Sequence, residues 1–197
     1  MYLAGPQYAI YGFGDEKWRP IGIDYTTQAI NNIDYPHHEI HAGSHYFINN
    51  SVTMAINNIF DMQFVTPNTT KWSHFLFALH PAMEISWFIY EGATITNTGT
   101  GTPVTSYNSN RNSTNISGNK IFTQLQGTTA SALLDTSWTG ATLMAKGLIG
   151  SNKDGGFLSR ENEIILKQNT TYLMRGIANA GGEFAFNADW YEHTNKT

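Results

Sequence analysis

The stretch "EFAFNADWYEH", residues 183–193, alternates between two kinds of side chain. Four apolar residues carry even numbers: Phe184, Phe186, Ala188 and Trp190. The residues between them carry odd numbers: Asn187, Asp189 and Tyr191. Residues two apart point to the same side of a β-strand, so one face of this segment is apolar and the other is not. The pattern predicts a strand that lies on a hydrophobic core.

Other segments share this character, because they are strand-length, rich in β-branched and aromatic residues, and bounded by Asn, Gly, Pro or Thr. They are "SHYFI" (44–48), "VTMAI" (52–56), "FDMQFVT" (60–66), "KWSHFLFAL" (71–79), "EISWFIYEG" (84–92), "NEIILKQ" (162–168) and "TYLMRGIA" (171–178). No segment shows the periodicity of a convincing amphipathic helix. Many short strands separated by turn signals predict an all-β sandwich or barrel.

Two polar stretches interrupt the strands. "TNTGTGTPVTSYNSNRNSTNISGNK" (96–120) is low-complexity and too polar for a core, so it predicts exposed loops around one or two short strands. "GSNKDGG" (150–156) is a second turn-rich loop. Neither is an interdomain linker, because the strands on both sides are needed to complete one sandwich. We therefore expect residues 26–197 to form a single domain.

The composition restricts the class of partner. The chain has 197 residues, of which 41% are hydrophobic, and a net charge of −4. Only 13% are charged, against about 25% in an ordinary soluble domain. Without a basic cluster there is nothing to neutralise phosphates, so nucleic acid is not an expected partner. Cys is absent, which excludes disulfides and thiolate metal sites.

The N-terminal residues predict no targeting segment. They lack the basic and apolar regions of a signal peptide, and no apolar run approaches the roughly 20 residues that cross a bilayer. We expect synthesis in a cytoplasm and no membrane partner.

Residues 1–25 predict an extended arm, because they are rich in Gly, Pro and aromatics and have no lasting period. The candidate contact residues in this arm are Tyr8, Tyr11, Phe13 and Trp18. Disordered segments are poor in aromatics, so these side chains are expected to fill pockets on a partner. The alternative is that they close one end of the domain itself.

The stretch "DYPHHEIHAGSHY" (34–46) contains four of the seven histidines. Read as a strand, it places His37, Glu39 and His41 on one face, and two imidazoles with a carboxylate are a known kind of metal ligand set. A cupin-like site would add a distant histidine, for which His74, His80 and His193 are available. The Gly framework of such a site is missing, so we expect no metal and no cofactor, and a role in packing or at a subunit seam.

The sequence has no motif that indicates catalysis. It contains no G-x-S-x-G elbow, no phosphate-binding Gly loop and no H-E-x-x-H. We expect a protein that is not an enzyme, and a metal-dependent cupin-like enzyme is the weakest alternative.

Several blocks along the chain resemble a family of small tailed-phage virion proteins, which are described as structural or head-decoration proteins. They are "TTQAINNIDYPHHEIHAGSHYFI" (26–48), "FVTPNTTKWSHFLFAL" (64–79), "IYEGATIT" (89–96), "NSNRNS" (108–113) and "SRENEIILKQNTTYLMRGIA…DWYEHT" (159–194). The resemblance implies a jelly-roll-like β-sandwich on the virion, at the capsid surface, as a homotrimer. The arm at residues 1–25 lies outside it.

The expected function is a capsid decoration or cement protein whose partners are the major capsid protein and copies of itself. In this interpretation residues 34–46 form the first strand of the sandwich, with His37, Glu39 and His41 at a subunit or capsid seam. The alternative function is a receptor- or carbohydrate-binding module of a head fibre or tail, for which Tyr107 and Asn110 are the candidate glycan contacts.

Overall fold

The computed structural model describes residues 11–14, 17–20, 35–93, 102–126, 141–157 and 162–194. The chain divides into two compact units, Met1–His38 and Glu39–Thr197. In the first unit, β1 (Tyr11–Gly14) and β2 (Lys17–Pro20) form an antiparallel hairpin whose register places Phe13 opposite Trp18. Tyr8, the remaining arm candidate, lies outside the described residues.

The other elements follow in chain order. They are α1 (Tyr35–His41), β3 (His45–Met54), β4 (Ile59–Val65), β5 (Lys71–Pro81), β6 (Ile85–Glu91), β7 (Thr102–Pro103), β8 (Tyr107–Asn108), β9 (Lys120–Gln126), β10 (Thr142–Ile149), β11 (Gly155–Phe157), β12 (Ile164–Leu166), β13 (Thr171–Ala178) and β14 (Gly182–Thr194). Strands β3 to β14 form two antiparallel sheets. The first has the order β11–β5–β14–β3–β8, with β12 also paired to β5, and the second has the order β10–β6–β13–β4–β9–β7.

The order of the strands is that of a jelly roll. The chain alternates between the sheets through β3, β4, β5 and β6, and the late strands then return between the early ones. β13 lies between β4 and β6, while β14 lies between β3 and β5. Two interleaved Greek keys of this kind define the fold. The predicted all-β, jelly-roll-like sandwich is confirmed.

The two sheets enclose an aromatic core. The apolar residues of β14 predicted to share a face are all buried there: Phe184, Phe186, Ala188 and Trp190. The indole of Trp190 lies 5.2 Å from the ring of Phe64 in the opposite sheet and 6.1 Å from the ring of Tyr46 in its own. Edge-on and tilted ring pairs contribute stabilising free energy beyond that of the apolar area they bury. These contacts therefore favour one packing arrangement of the two sheets.

A buried carboxylate closes one end of this core. Glu192 accepts hydrogen bonds from the indole nitrogen of Trp190 at 3.0 Å, from Ser117 Oγ at 2.5 Å, and from Asn119 Nδ2 at 2.8 Å. The backbone N–H of Gly118 is a further donor at 3.1 Å. These bonds replace the water that a buried carboxylate loses, and they tie residues 117–119 to β14.

A buried ionic pair lies on the face of the second sheet that points away from the core. Arg175 of β13 is directly across from Asp61 of β4 and donates two hydrogen bonds to it, each 2.8 Å long. Both side chains are buried. The two parallel bonds give a guanidinium and a carboxylate their preferred geometry.

Residues 35–41 form a helix, and their prediction as the first strand of the sandwich is wrong. Pro36 lies in the first turn, where a missing N–H costs nothing. Gly43 has φ of 70°, and its N–H bonds to Ile40 O while that of Ser44 bonds to Glu39 O, both at 3.0 Å. This pair of bonds is the Schellman ending of a helix. The strand begins only at His45.

Replacing Gly43 with Ala should destabilise the fold. A Cβ at positive φ costs about 1–2 kcal/mol, and here it would also meet Ser113, whose Cβ lies 2.8 Å away. Gly150→Ala is the matched control, because no atom lies within 4 Å of its added Cβ. Urea unfolding should show a lower midpoint for Gly43→Ala alone. Equal stability of the two variants would contradict this account of the helix end.

Candidate functional site

The three residues predicted to share a seam do not share a face. A helix places residues four apart on one side, so His37 and His41 lie together and Glu39 points elsewhere. Both histidines are exposed, whereas Glu39 is buried. Ser44 Oγ donates to the Glu39 carboxylate and lies 3.1 Å from the Glu39 carbonyl oxygen. The ligand triad that a strand would have made is therefore absent.

The Asn-rich loop around residues 108–115 is bonded to the end of α1. Asn108 and Asn115 each donate a side-chain N–H to Gly43 O, at 2.9 and 3.1 Å. Asn110 Nδ2 donates to His41 O at 3.2 Å. The last carbonyl groups of a helix have no partner within the helix, and these side-chain amides donate hydrogen bonds to carbonyls at and just beyond the end of α1. The loop is a structural cap as well as an exposed surface.

The two glycan candidates in this loop differ in availability. Asn110 uses its Nδ2 on His41 O, and its Oδ1 accepts from Asn112 N at 3.1 Å, so both ends of its amide bind the main chain. Tyr107 is 48% exposed, and the Arg111 guanidinium lies 5.5 Å from the centre of its ring. Tyr107 is therefore the better candidate contact of the two.

An exposed apolar stripe runs along β10. We define the β10 stripe as Leu143 and Leu148, which are 45% and 63% exposed and share the outward face of the sheet. Met144, 38% exposed, lines a cavity on the core side together with Phe64 and Ile89. β10 pairs with β6 and is the outermost strand of its sheet in the described part of the chain. An edge strand with exposed apolar side chains favours association with another chain. Sequence analysis missed this strand.

Aromatic side chains of β6 extend the stripe across the sheet. Leu143 lies opposite Tyr90 in the register of β10 and β6. Tyr90 and Phe88 stack with ring centres 6.3 Å apart on the same outward face, and both are partly exposed. Lys146 is the charged residue of β10. The surface is suited to packing against an apolar partner.

Four of the seven histidines lie on the face of the first sheet that points away from the core. They are His45, His74, His80 and His193. The sequence offered His74, His80 and His193 only as alternative distant ligands for the stretch at 34–46. It did not predict that the four histidines share a face, because they come from three strands that only the antiparallel register brings together. His45 Nδ1 lies 2.7 Å from Ser109 Oγ, and its Nε2 lies 3.3 Å from Asp189 Oδ1.

His74 is at the centre of a hydrogen-bonded chain. Its Nδ1 lies 2.7 Å from Glu163 Oε1, which also accepts from the Tyr191 hydroxyl at 2.8 Å. Its Nε2 lies 2.7 Å from Nε2 of His193. The His74 ring stacks on Tyr191 with centroids 4.4 Å apart. The chain of bonds links β5, β14 and the residue that precedes β12.

His80 has an oxygen at each ring nitrogen. Nδ1 lies 2.7 Å from Asp154 Oδ1, and Nε2 lies 3.0 Å from Asn187 Oδ1. The hydrogen bond to Asp154 is the main reason why the pKa of His80 is raised above 6.5, although burial partly opposes it. The contact holds the turn-rich loop at 150–156 to the sheet.

Comparison with known proteins finds no matching family model, no matching curated protein and no matching solved structure. Among the described residues, no group of three or more His, Asp or Glu side chains is placed to hold a metal ion. The described helix is also too short to cross a membrane.

Asp154→Asn should lower the pKa of His80. The raised pKa means that the folded state favours the imidazolium form of His80. The stabilisation from this contact is therefore fully present below pH 6.5 and disappears as the pH rises through the folded-state pKa. NMR titration of the His80 ring should show a value above 6.5 in the native chain and a lower one in the variant. An unchanged titration in Asp154→Asn would contradict the assignment of the cause.

Proposed function

We propose that this protein is a non-enzymatic structural protein of a tailed phage, a decoration protein that binds the outer surface of the capsid and stabilises the major-capsid lattice. It is made in the host cytoplasm and functions as a homotrimer. Its partners are the major capsid protein and its own copies. The aromatic arm, with Tyr8, Tyr11, Phe13 and Trp18, contributes contacts to the capsid or to a neighbouring protomer.

The observation that carries this proposal is the β10 stripe. A soluble chain has little reason to expose two leucines on the outward face of one edge strand unless that edge packs against a partner. Natural edge strands are usually protected by several charges, whereas β10 has Lys146 alone. Burying such a stripe against a copy or a capsid subunit supplies the favourable free energy of assembly.

Two further features support a mechanical role. The jelly-roll core is closed by buried polar bonds at Glu192, which give a chain without cysteine a well-fixed interior. The loop at 108–115 is bonded to main-chain carbonyls instead of being a free linker. The blocks that resemble phage virion proteins lie mostly in this sandwich. A rigid body with an apolar edge is what lattice binding requires.

The double variant Leu143→Ser, Leu148→Ser should lose assembly while keeping its fold. Light scattering should give a trimer for the native chain and a smaller species for the variant, and the variant should no longer co-sediment with expanded capsids of the phage. Ile116→Ser is the control, because Ile116 is 88% exposed but lies in the Asn-rich loop. A native monomer, or a variant that trimerises and binds capsids as before, would refute the assignment.

The exposed ring of Tyr107 favours a second candidate function, that of a carbohydrate-binding module on a head fibre or tail. Tyr107 lies in β8, and a partly exposed aromatic ring of this kind is a common contact for sugars. The Arg111 guanidinium, 5.5 Å from the ring centre, adds hydrogen-bond donors. On a glycan array the native protein should then bind and Tyr107→Ala should lose at least tenfold in affinity. Absence of binding to glycans and host cells, with binding to capsids, would dismiss this candidate.

A further inference from the structure

The pair formed by His74 and His193 has a feature that packing does not require. The two rings belong to neighbouring strands, where the register pairs His74 with Tyr191 and His193 with Trp72. They are diagonal neighbours on one face, and their Nε2 atoms lie 2.7 Å apart. Both rings therefore turn the same nitrogen toward a single point.

The hydrogen bonds at the two Nδ1 atoms determine what the Nε2 atoms can bind. His74 Nδ1 faces the Glu163 carboxylate at 2.7 Å, and His193 Nδ1 faces the Thr194 carbonyl oxygen at 2.9 Å. Both partners only accept, so both Nδ1 atoms must carry hydrogen. A neutral imidazole has one N–H, which leaves a lone pair on each Nε2. Two lone pairs at this distance repel unless a proton or a metal ion lies between them.

The surroundings of the pair match those of metal-binding histidines. Such histidines donate the other ring N–H to a carboxylate or a backbone carbonyl, which fixes the tautomer and the ring orientation. Glu163 has this relation to His74, and the Thr194 carbonyl has it to His193. Stacking on Tyr191, with 14° between the ring planes, further holds His74 in place.

Access and geometry are also suitable. The His74 side chain is 11% exposed, and His193 is partly exposed beside it. Two bonds of about 2.0–2.1 Å at a tetrahedral angle separate the nitrogens by about 3.3 Å. Binding an ion would require the two Nε2 atoms to separate by about 0.6 Å from their present 2.7 Å. Water from the exposed side would complete the coordination of the ion.

We propose that His74 and His193 bind a first-row transition-metal cation through their Nε2 atoms, with Glu163 as the positioning residue of His74. Imidazole ligands suit Zn²⁺, Cu²⁺ and Ni²⁺. A bound ion joins β5 to β14 and stabilises the folded state by mass action. This proposal departs from the sequence expectation of no metal, and it is independent of the decoration function.

The test is titration of the full chain with Zn²⁺ and Cu²⁺ in a non-coordinating buffer at neutral pH. Calorimetry should give one equivalent bound, thermal unfolding should shift upward, and Cu²⁺ spectra should show two coordinated imidazole nitrogens. His193→Gln should abolish this binding. Glu163→Gln should weaken it about 10–100-fold, as loss of a supporting hydrogen bond does at other metal sites.

Two controls make the result specific. His80→Gln removes a histidine from the same sheet face and should leave binding unchanged. Two histidines four apart on a helix can also chelate an ion, as His37 and His41 on α1 could. The double variant His37→Gln, His41→Gln removes that pair, and binding by His74 and His193 should persist in it. No binding at millimolar metal would overturn the proposal. A proton shared between the two Nε2 atoms would then explain their short distance. Equal binding by His193→Gln would also overturn it.

Discussion

The indole of Trp190 and the carboxylate that accepts its N–H fix the relation between the two sheets. Trp190 is fully buried and contacts Phe64 across the core, so its position determines how closely the sheets approach. Its buried N–H donates a hydrogen bond to Glu192, two residues later. The Glu192 carboxylate is itself buried. Burial of the Tyr46 hydroxyl, together with the negative charge of Glu192, raises the pKa of Tyr46 to about 12. Glu192 thus accepts the hydrogen bond of the core tryptophan and also binds residues 118 and 119 of the neighbouring loop.

The sandwich was predictable because its central strands are strand-length segments rich in β-branched and aromatic residues. In β14 the large apolar residues alternate, and in β13 they form a continuous buried run. The predicted segments 171–178 and 183–193 agree with Thr171–Ala178 and Gly182–Thr194. β9 and β10 were missed. β10 contains Ala, Gly and Lys and exposes several of its apolar residues, so neither its composition nor its alternation marks a strand.

The helix was missed for a different reason. Residues 35–41 make fewer than two full turns, too few to show a periodicity, and the many histidines suggested chemistry. The sequence did contain helix start and stop signals, namely Pro36 in the first turn and Gly43 just past the last residue. The histidine pair on the sheet could not be found from sequence, because His74 and His193 are 119 residues apart. Only the register of β5 and β14 brings their rings together.

The place of β14 in the strand order has a consequence for how the protein acquires its structure. β14 lies between β3 and β5, and its partners Met54 and Pro81 precede it by more than a hundred residues. The first sheet therefore has no centre until that strand has been synthesised. Contacts so distant in sequence close large loops before they gain any packing, which makes folding slow and leaves unpaired strands exposed meanwhile. We expect a chain that folds after translation and depends on chaperones during that interval.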